Sequence, residues 1–260
     1  MRQRAFISAF AVAAFLAGVA PASAERLITS ISRHQVMVTS SFTGTSIVLF
    51  GTVEPDRPTA RLRNAYDIVI TVTSAKQNVV TRRKERVFGI WANAASRTFI
   101  GVPNYLHILS NRPFEEIANT DTLRRLRIGL DYFVLPQQIG PDVADVVRDD
   151  PFRVNFVRIK TEHHLYGQRT NAVTFLTPTL FRAEIRLPAE APFGNYDADV
   201  KLFADGNMLV RTNSAFEVVK VGFEQFVATA ARDHGLFYGI AAVMMALATG
   251  WFASVVFRRD

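Results

Sequence analysis

The fold class this sequence predicts is mainly β: an immunoglobulin-like antiparallel β-sandwich with a helical insert, followed by one C-terminal transmembrane helix. Three observations predict it. Apolar and polar residues alternate over short segments in both halves of the chain, the spacing shifts to three and four in the middle, and residues 236–257 carry no charge. About half of the 260 residues are apolar (49%) and only 20% are charged, with both signs mixed, which excludes a disordered chain.

The first strand signals lie between Leu27 and Leu109. Tyr66, Ile68, Ile70 and Val72 alternate with Asp67, Thr71 and Thr73, a half-buried strand, whereas residues 47–53 are apolar on both faces, a central one. Strict alternation returns late. Phe181, Ala183, Ile185 and Leu187 alternate with Arg182, Glu184 and Arg186, and Tyr196, Ala198, Val200 and Leu202 alternate with Asp197, Asp199 and Lys201. Asp205-Gly206 is a hairpin-turn dipeptide leading to a last strand at residues 216–221, so these three strands are expected to form an antiparallel meander. Arg182 and Arg186 are then expected to face Asp197 and Asp199 across neighbouring strands. Pro192, Gly194 and Tyr196 match the corner that precedes a late strand in immunoglobulin-like sandwiches.

The helical insert is expected at about 113–165. Leu123, Leu126 and Leu130 share one helical spacing, and Phe152, Phe156, Ile159 and His163 share another. Asp150-Pro151 is a helix start, an N-cap followed by proline at the first helical position. Glu115-Glu116 and Asp149-Asp150 sit near helix starts, where negative charge meets the positive end of the helix dipole.

Both ends of the chain point to a membrane. Arg2 and Arg4 precede an apolar run at 5–20, then Pro21 and the small residues Ala22, Ser23 and Ala24, the pattern of a signal peptide over 1–24. At ~1.5 Å per residue a helix over 236–257 reaches roughly 33 Å, one hydrocarbon thickness. Export of the N-terminus places 25–235 in the periplasm and Arg258-Arg259, within the tail 258–260, in the cytoplasm, as the positive-inside tendency prefers. The expected location is therefore the bacterial inner membrane, single-pass. Ala242, Ala246, Gly250 and Ser254 recur every four residues, a small-residue stripe that permits close helix packing.

Four of the cations behind the net charge of +7 are Arg2, Arg4, Arg258 and Arg259, so the periplasmic part is only mildly basic, and its compartment excludes nucleic acid as a partner. The chain has no cysteine, which excludes disulfides, zinc-thiolate sites and thiol chemistry. No G-x-S-x-G, S-x-x-K, H-E-x-x-H or phosphate-binding loop occurs, so neither an enzyme nor a cofactor or metal is expected. His163 and His164, adjacent in sequence, point apart on either a helix or a strand, and His34 with Met37 lacks a third ligand. The candidate binding residues are Arg82, Arg83, Lys84 and Arg86 followed by Trp91, cations and an indole that suit anionic headgroups, an acidic protein surface or an oxyanion. Arg124, Arg125 and Arg127 form a second cluster, expected on the polar side of a helix.

Four segments, VTSSFTGTSIVLFG at 38–51, RRKERVFGIW at 82–91, GLDYF at 129–133 and LFRAEIRLPAEAPFGNY at 180–196, resemble the alphaproteobacterial "putative transmembrane protein" family, whose function is unknown. The resemblance covers nearly the whole chain. It implies no catalytic residues, and as a partner it implies a sulfite/anion permease-like protein, beside whose gene family members are encoded. The expected function is an accessory or interaction subunit of such a membrane partner. The alternatives are a periplasmic small-anion-binding module acting through the basic cluster and a membrane-anchored enzyme with an unrecognised site.

Overall fold

The computed structural model describes residues 25–54, 66–139, 141–145, 148–222 and 231–256. The signal-peptide pattern at 1–24, the last residue of the expected span and the tail at 258–260 lie outside the described residues. Two sheets form the sandwich. The first runs β1 (Arg26–Ile31), β3 (Gly44–Glu54), β12 (Leu180–Pro188), β11 (Val173–Phe175). The second runs β10 (Tyr166–Arg169), β7 (Leu106–Ser110), β4 (Asp67–Ser74), β13 (Gly194–Ala204), β14 (Asn207–Lys220), β2 (Gln35–Val38). Ile47, Leu49 and Val53 of β3 and Phe181, Ala183 and Ile185 of β12 meet Ile68, Ile70 and Val72 of β4 and Ala198, Val200 and Leu202 of β13 in one core. Each fully buried large side chain contributes about 1.5–3 kcal/mol by leaving water.

One close approach in that core depends on glycine. Gly51 pairs directly with Phe181, and a Cβ there would stand 2.3 Å from the ring's Cζ, so the missing side chain is what lets the buried ring lie across the neighbouring strand. The corner at residues 188–194 behaves as its sequence implies: the Tyr196 hydroxyl donates to the Pro192 carbonyl at 2.7 Å.

Three strand expectations are corrected. β12 does not join β13 and β14 in a meander; it pairs with β3 in the opposite sheet, and the chain crosses the sandwich at that corner. Arg182 and Arg186 therefore do not face Asp197 and Asp199. Arg186 pairs instead with Glu184 on its own strand, while Asp199 binds Lys201 and Arg211. The sandwich is also not wholly antiparallel, because β2 runs parallel to β14 and β10 parallel to β7 at the two edges of the second sheet.

The third correction concerns burial. β3 is buried on one face only, with Phe50 39% exposed on the other, whereas β4 is buried on both. A second core explains the reversal. Val69, Leu106, Ile108 and Phe203 on the outer face of the second sheet pack under Phe99, Phe114, Ile117, Leu123 and Phe156.

Helices α1 (Phe114–Ile117), α2 (Thr120–Leu126) and α3 (Pro151–Glu162) supply much of that cover. The Asn119 side chain caps α2 by accepting from Thr122 N, and Asp150 caps α3 by accepting from Arg153 N, with Pro151 in the first turn. Glu115 and Glu116 fall in the first turn of α1. Phe156 stacks on Phe99 at 4.3 Å between centroids and meets Tyr166 edge-on. Ile159 is 46% exposed, so the apolar stripe of α3 is narrower than its spacing suggested. Between α2 and α3 lies a short hairpin, β8 (Pro136–Ile139) and β9 (Asp142–Asp145), which extends a third sheet of order β5-β6-β8-β9 begun by β5 (Lys76–Val87) and β6 (Ile90–Pro103).

Near the C-terminus, α4 (Gly235–Val256) is the one described helix long and apolar enough to cross a membrane, with mean hydropathy 1.7 over Gly235–Ser254 and none of that stretch buried.

Candidate functional site

The basic cluster of the sequence lies on the long β5–β6 hairpin. Every residue from 86 to 94 is exposed, so the end of the arm stands clear of the body. Strand alternation sorts the four cations. Val79, Thr81, Arg83 and Glu85 point towards the body, where Arg83 ion-pairs with Glu85 and its guanidinium lies 5.9 Å from the Phe152 ring centre. Arg82, Lys84 and Arg86 point the other way. Arg86 pairs directly across the hairpin with Trp91, so these three cations and the indole share one outer face. The structure thus brings Arg82, Lys84, Arg86 and Trp91 together and turns Arg83 aside. Trp91 is 70% exposed.

The tip is apolar. Val87 and Ile90 close a two-residue loop, Phe88-Gly89, in which both φ angles are positive, 49° and 84°. This is the turn that matches strand twist, and it favours Asn or Asp followed by Gly. The chain meets the same demand conventionally elsewhere: Asp205-Gly206, at φ 48° and 80°, joins β13 to β14 between Ala204 and Asn207. At the arm's tip a phenylalanine occupies the position that the other hairpin gives to aspartate. Its side chain is completely exposed, so no burial against the described residues compensates the strain. Phe88 and Ile90 were missed as candidates from sequence, although a phenylalanine before a hairpin glycine was the available signal.

The other candidates are dispersed. Ala242, Ala246, Gly250 and Ser254 lie on α4, and a shallow groove runs past the first three between Tyr238 and Ala253. His163 Nδ1 lies 2.8 Å from a Glu190 carboxylate oxygen, and the backbone carbonyl of His164 accepts from His107 Nε2 at 3.1 Å. Met37 is exposed on edge strand β2, with Val36 buried beside it. Among the described residues there is no group of three or more His, Asp or Glu side chains able to hold a metal ion.

A family model described as "Putative transmembrane protein (Alph_Pro_TM)" matches residues 26–259. Among solved structures, the crystal structure of the N-terminal domain of the Streptococcus gordonii adhesin Sgo0707 aligns with 8% sequence identity and a TM-score of 0.27, covering 75% of this chain and 32% of that one. The chain thus spans about a third of that structure's length. No curated protein matches the sequence.

Proposed function

The chain belongs to this transmembrane protein family, and from that premise we propose that it is a non-enzymatic accessory or interaction subunit of a membrane partner. In this reading α4 crosses the inner membrane once, the β domain stands in the periplasm and the C-terminal residues lie in the cytoplasm. The partner is another integral membrane protein, and the resemblance to the family suggests an anion permease-like one. The observation that carries the reading is Phe88, a fully exposed aromatic held at a φ that suits Asp or Asn, at the tip of an arm that also exposes Val87, Ile90 and Trp91. Folding gains nothing from that choice, whereas a docking surface does: clustered large apolar side chains rimmed by polar groups mark interaction sites. Arg82, Lys84 and Arg86 supply a rim suited to an acidic surface.

A photo-crosslinking amino acid placed at position 88 in native membranes tests this. One dominant adduct with an integral membrane protein is expected; adducts confined to lipid or to a second copy of the chain would refute it. An alkaline phosphatase fused after Val221 is expected to be active, as only export allows, and an inactive fusion would overturn the orientation. Gly250→Leu, which adds bulk where the helix surface is open, is expected to weaken co-purification of the crosslinked partner.

A further inference from the structure

The second core covers only part of the outer face of the six-stranded sheet. Beside it the register places a polar floor: Thr71 of β4 lies opposite Asp199 of β13, which lies opposite Asn213 of β14, and one step along, Lys201 lies opposite Arg211. The end of α2 and Phe133 wall this floor into a cleft of about 720 Å³, a volume in the range of small-molecule sites.

Its charges do not balance. Five cationic side chains line the cleft against two carboxylates, Asp197 and Asp199. Asp199 binds both Lys201 and Arg211, the latter at 2.6 Å, and so is fully engaged. Lys76, Arg125 and Arg127 make no ion pair with any described residue. The floor also carries an unanswered donor: Thr71 is 8% exposed, and its buried hydroxyl has no hydrogen-bond partner among the described residues. A buried hydroxyl left in that state is costly. Leu126, Phe133 and Met208 add apolar wall to the same cleft.

We propose that this cleft binds a small organic anion, its oxyanion group held by Arg125, Arg127 and Lys76 over the Thr71 hydroxyl and its body lying against Leu126, Phe133 and Met208. The site is separate from the hairpin arm and does not depend on what the arm docks to.

Calorimetric titration of the full chain in a non-ionic detergent tests it, with phenyl phosphate and inorganic phosphate as probes. Saturable binding of phenyl phosphate, tighter than that of inorganic phosphate, is expected. The double variant Arg125→Gln, Arg127→Asn changes only exposed side chains and retains a residue tolerant of the left-handed backbone at position 127; it should lose the binding. Thr71→Val keeps the shape of the side chain and should weaken binding roughly tenfold, the worth of one hydrogen bond to a charged group, without lowering the melting temperature. Arg82→Gln on the arm should change nothing. Absence of saturable heat with phenyl phosphate, or full binding by the double variant, would overturn the site. Equal affinity for the two phosphates would overturn the organic body.

Discussion

Replacing Phe88 by aspartate separates what the arm does for folding from what it does for association. In the folded chain the Phe88 ring is completely exposed, so its removal costs no intramolecular contact. Its φ of 49° is one that aspartate adopts more readily, and the resulting Asp-Gly turn repeats the one already closing β13 and β14. A left-handed conformation costs an ordinary L-residue about 1–2 kcal/mol. Part of that is recovered by aspartate, so unfolding free energy should hold or rise by up to ~1 kcal/mol. Association should move the other way. Full burial of a phenylalanine in a partner is worth about 1.5–3 kcal/mol, which corresponds to roughly tenfold to 150-fold in dissociation constant. The assay is paired: urea unfolding of the purified chain, and titration of the crosslinked partner against wild type and F88D in detergent. A lower unfolding midpoint would show that the ring has a structural role. Unchanged affinity would show that the strained aromatic is not there for docking.

Three further outcomes follow from the same geometry. Phe156→Ala removes a ring 3% exposed between Phe99 and Tyr166, and should cost about 3–5 kcal/mol in denaturant unfolding, with hydrogen exchange in α3 quickening first. Arg112→Ala strips the guanidinium from Asp67, a carboxylate 2% exposed that then keeps, among the described residues, only Asn111 as a side-chain donor; because Arg112 itself is 40% exposed, the loss should be about 2 kcal/mol. His107 donates to the His164 carbonyl at 3.1 Å, and burial pushes its pKa below the ordinary value. The unfolded chain therefore binds this proton more readily than the native one. Stability should fall as pH drops below about 6.5 and continue falling until the lowered native pKa is passed. His107→Gln should flatten that part of the profile, read as urea midpoint against pH.

The sequence made some of this legible and hid the rest for identifiable reasons. Local signals held: the Asp150-Pro151 helix start, the Asp205-Gly206 turn and the Tyr196 corner each depend on residues within a few positions of one another. Pairing across distance did not. Alternation in β12 and β13 is the same whether two strands are neighbours or belong to opposite sheets, so nothing local could show that Arg186 and Asp197 lie on different layers. The outward and inward halves of the 82–86 cluster were legible in principle, since period two alone turns Arg83 away from Arg82, Lys84 and Arg86. The exposure of Trp91 was not, because an indole within an alternating segment reads equally as core.

The burial of β4 on both faces accounts for the cleft. A strand with Asp67, Thr71 and Thr73 on one side reads as solvated on that side, and would be if α1, α2 and α3 did not cover it. Once they do, each polar group on that face needs an answer. Asp67 receives Arg112 and Asn111; Thr71 receives nothing from the described residues. The difference lies in where the cover ends. Asp67 sits under an edge closed by the residues following β7, while Thr71 sits where the apolar cover stops and α2 presents arginines instead. An insert meant only to seal the sheet would carry its apolar stripe across that gap. This one places Arg125 and Arg127 there, so a covered hydroxyl and cations without ion pairs among the described residues belong to side chains that line the same cleft, and that pairing of a donor with excess positive charge is what a bound anion would resolve.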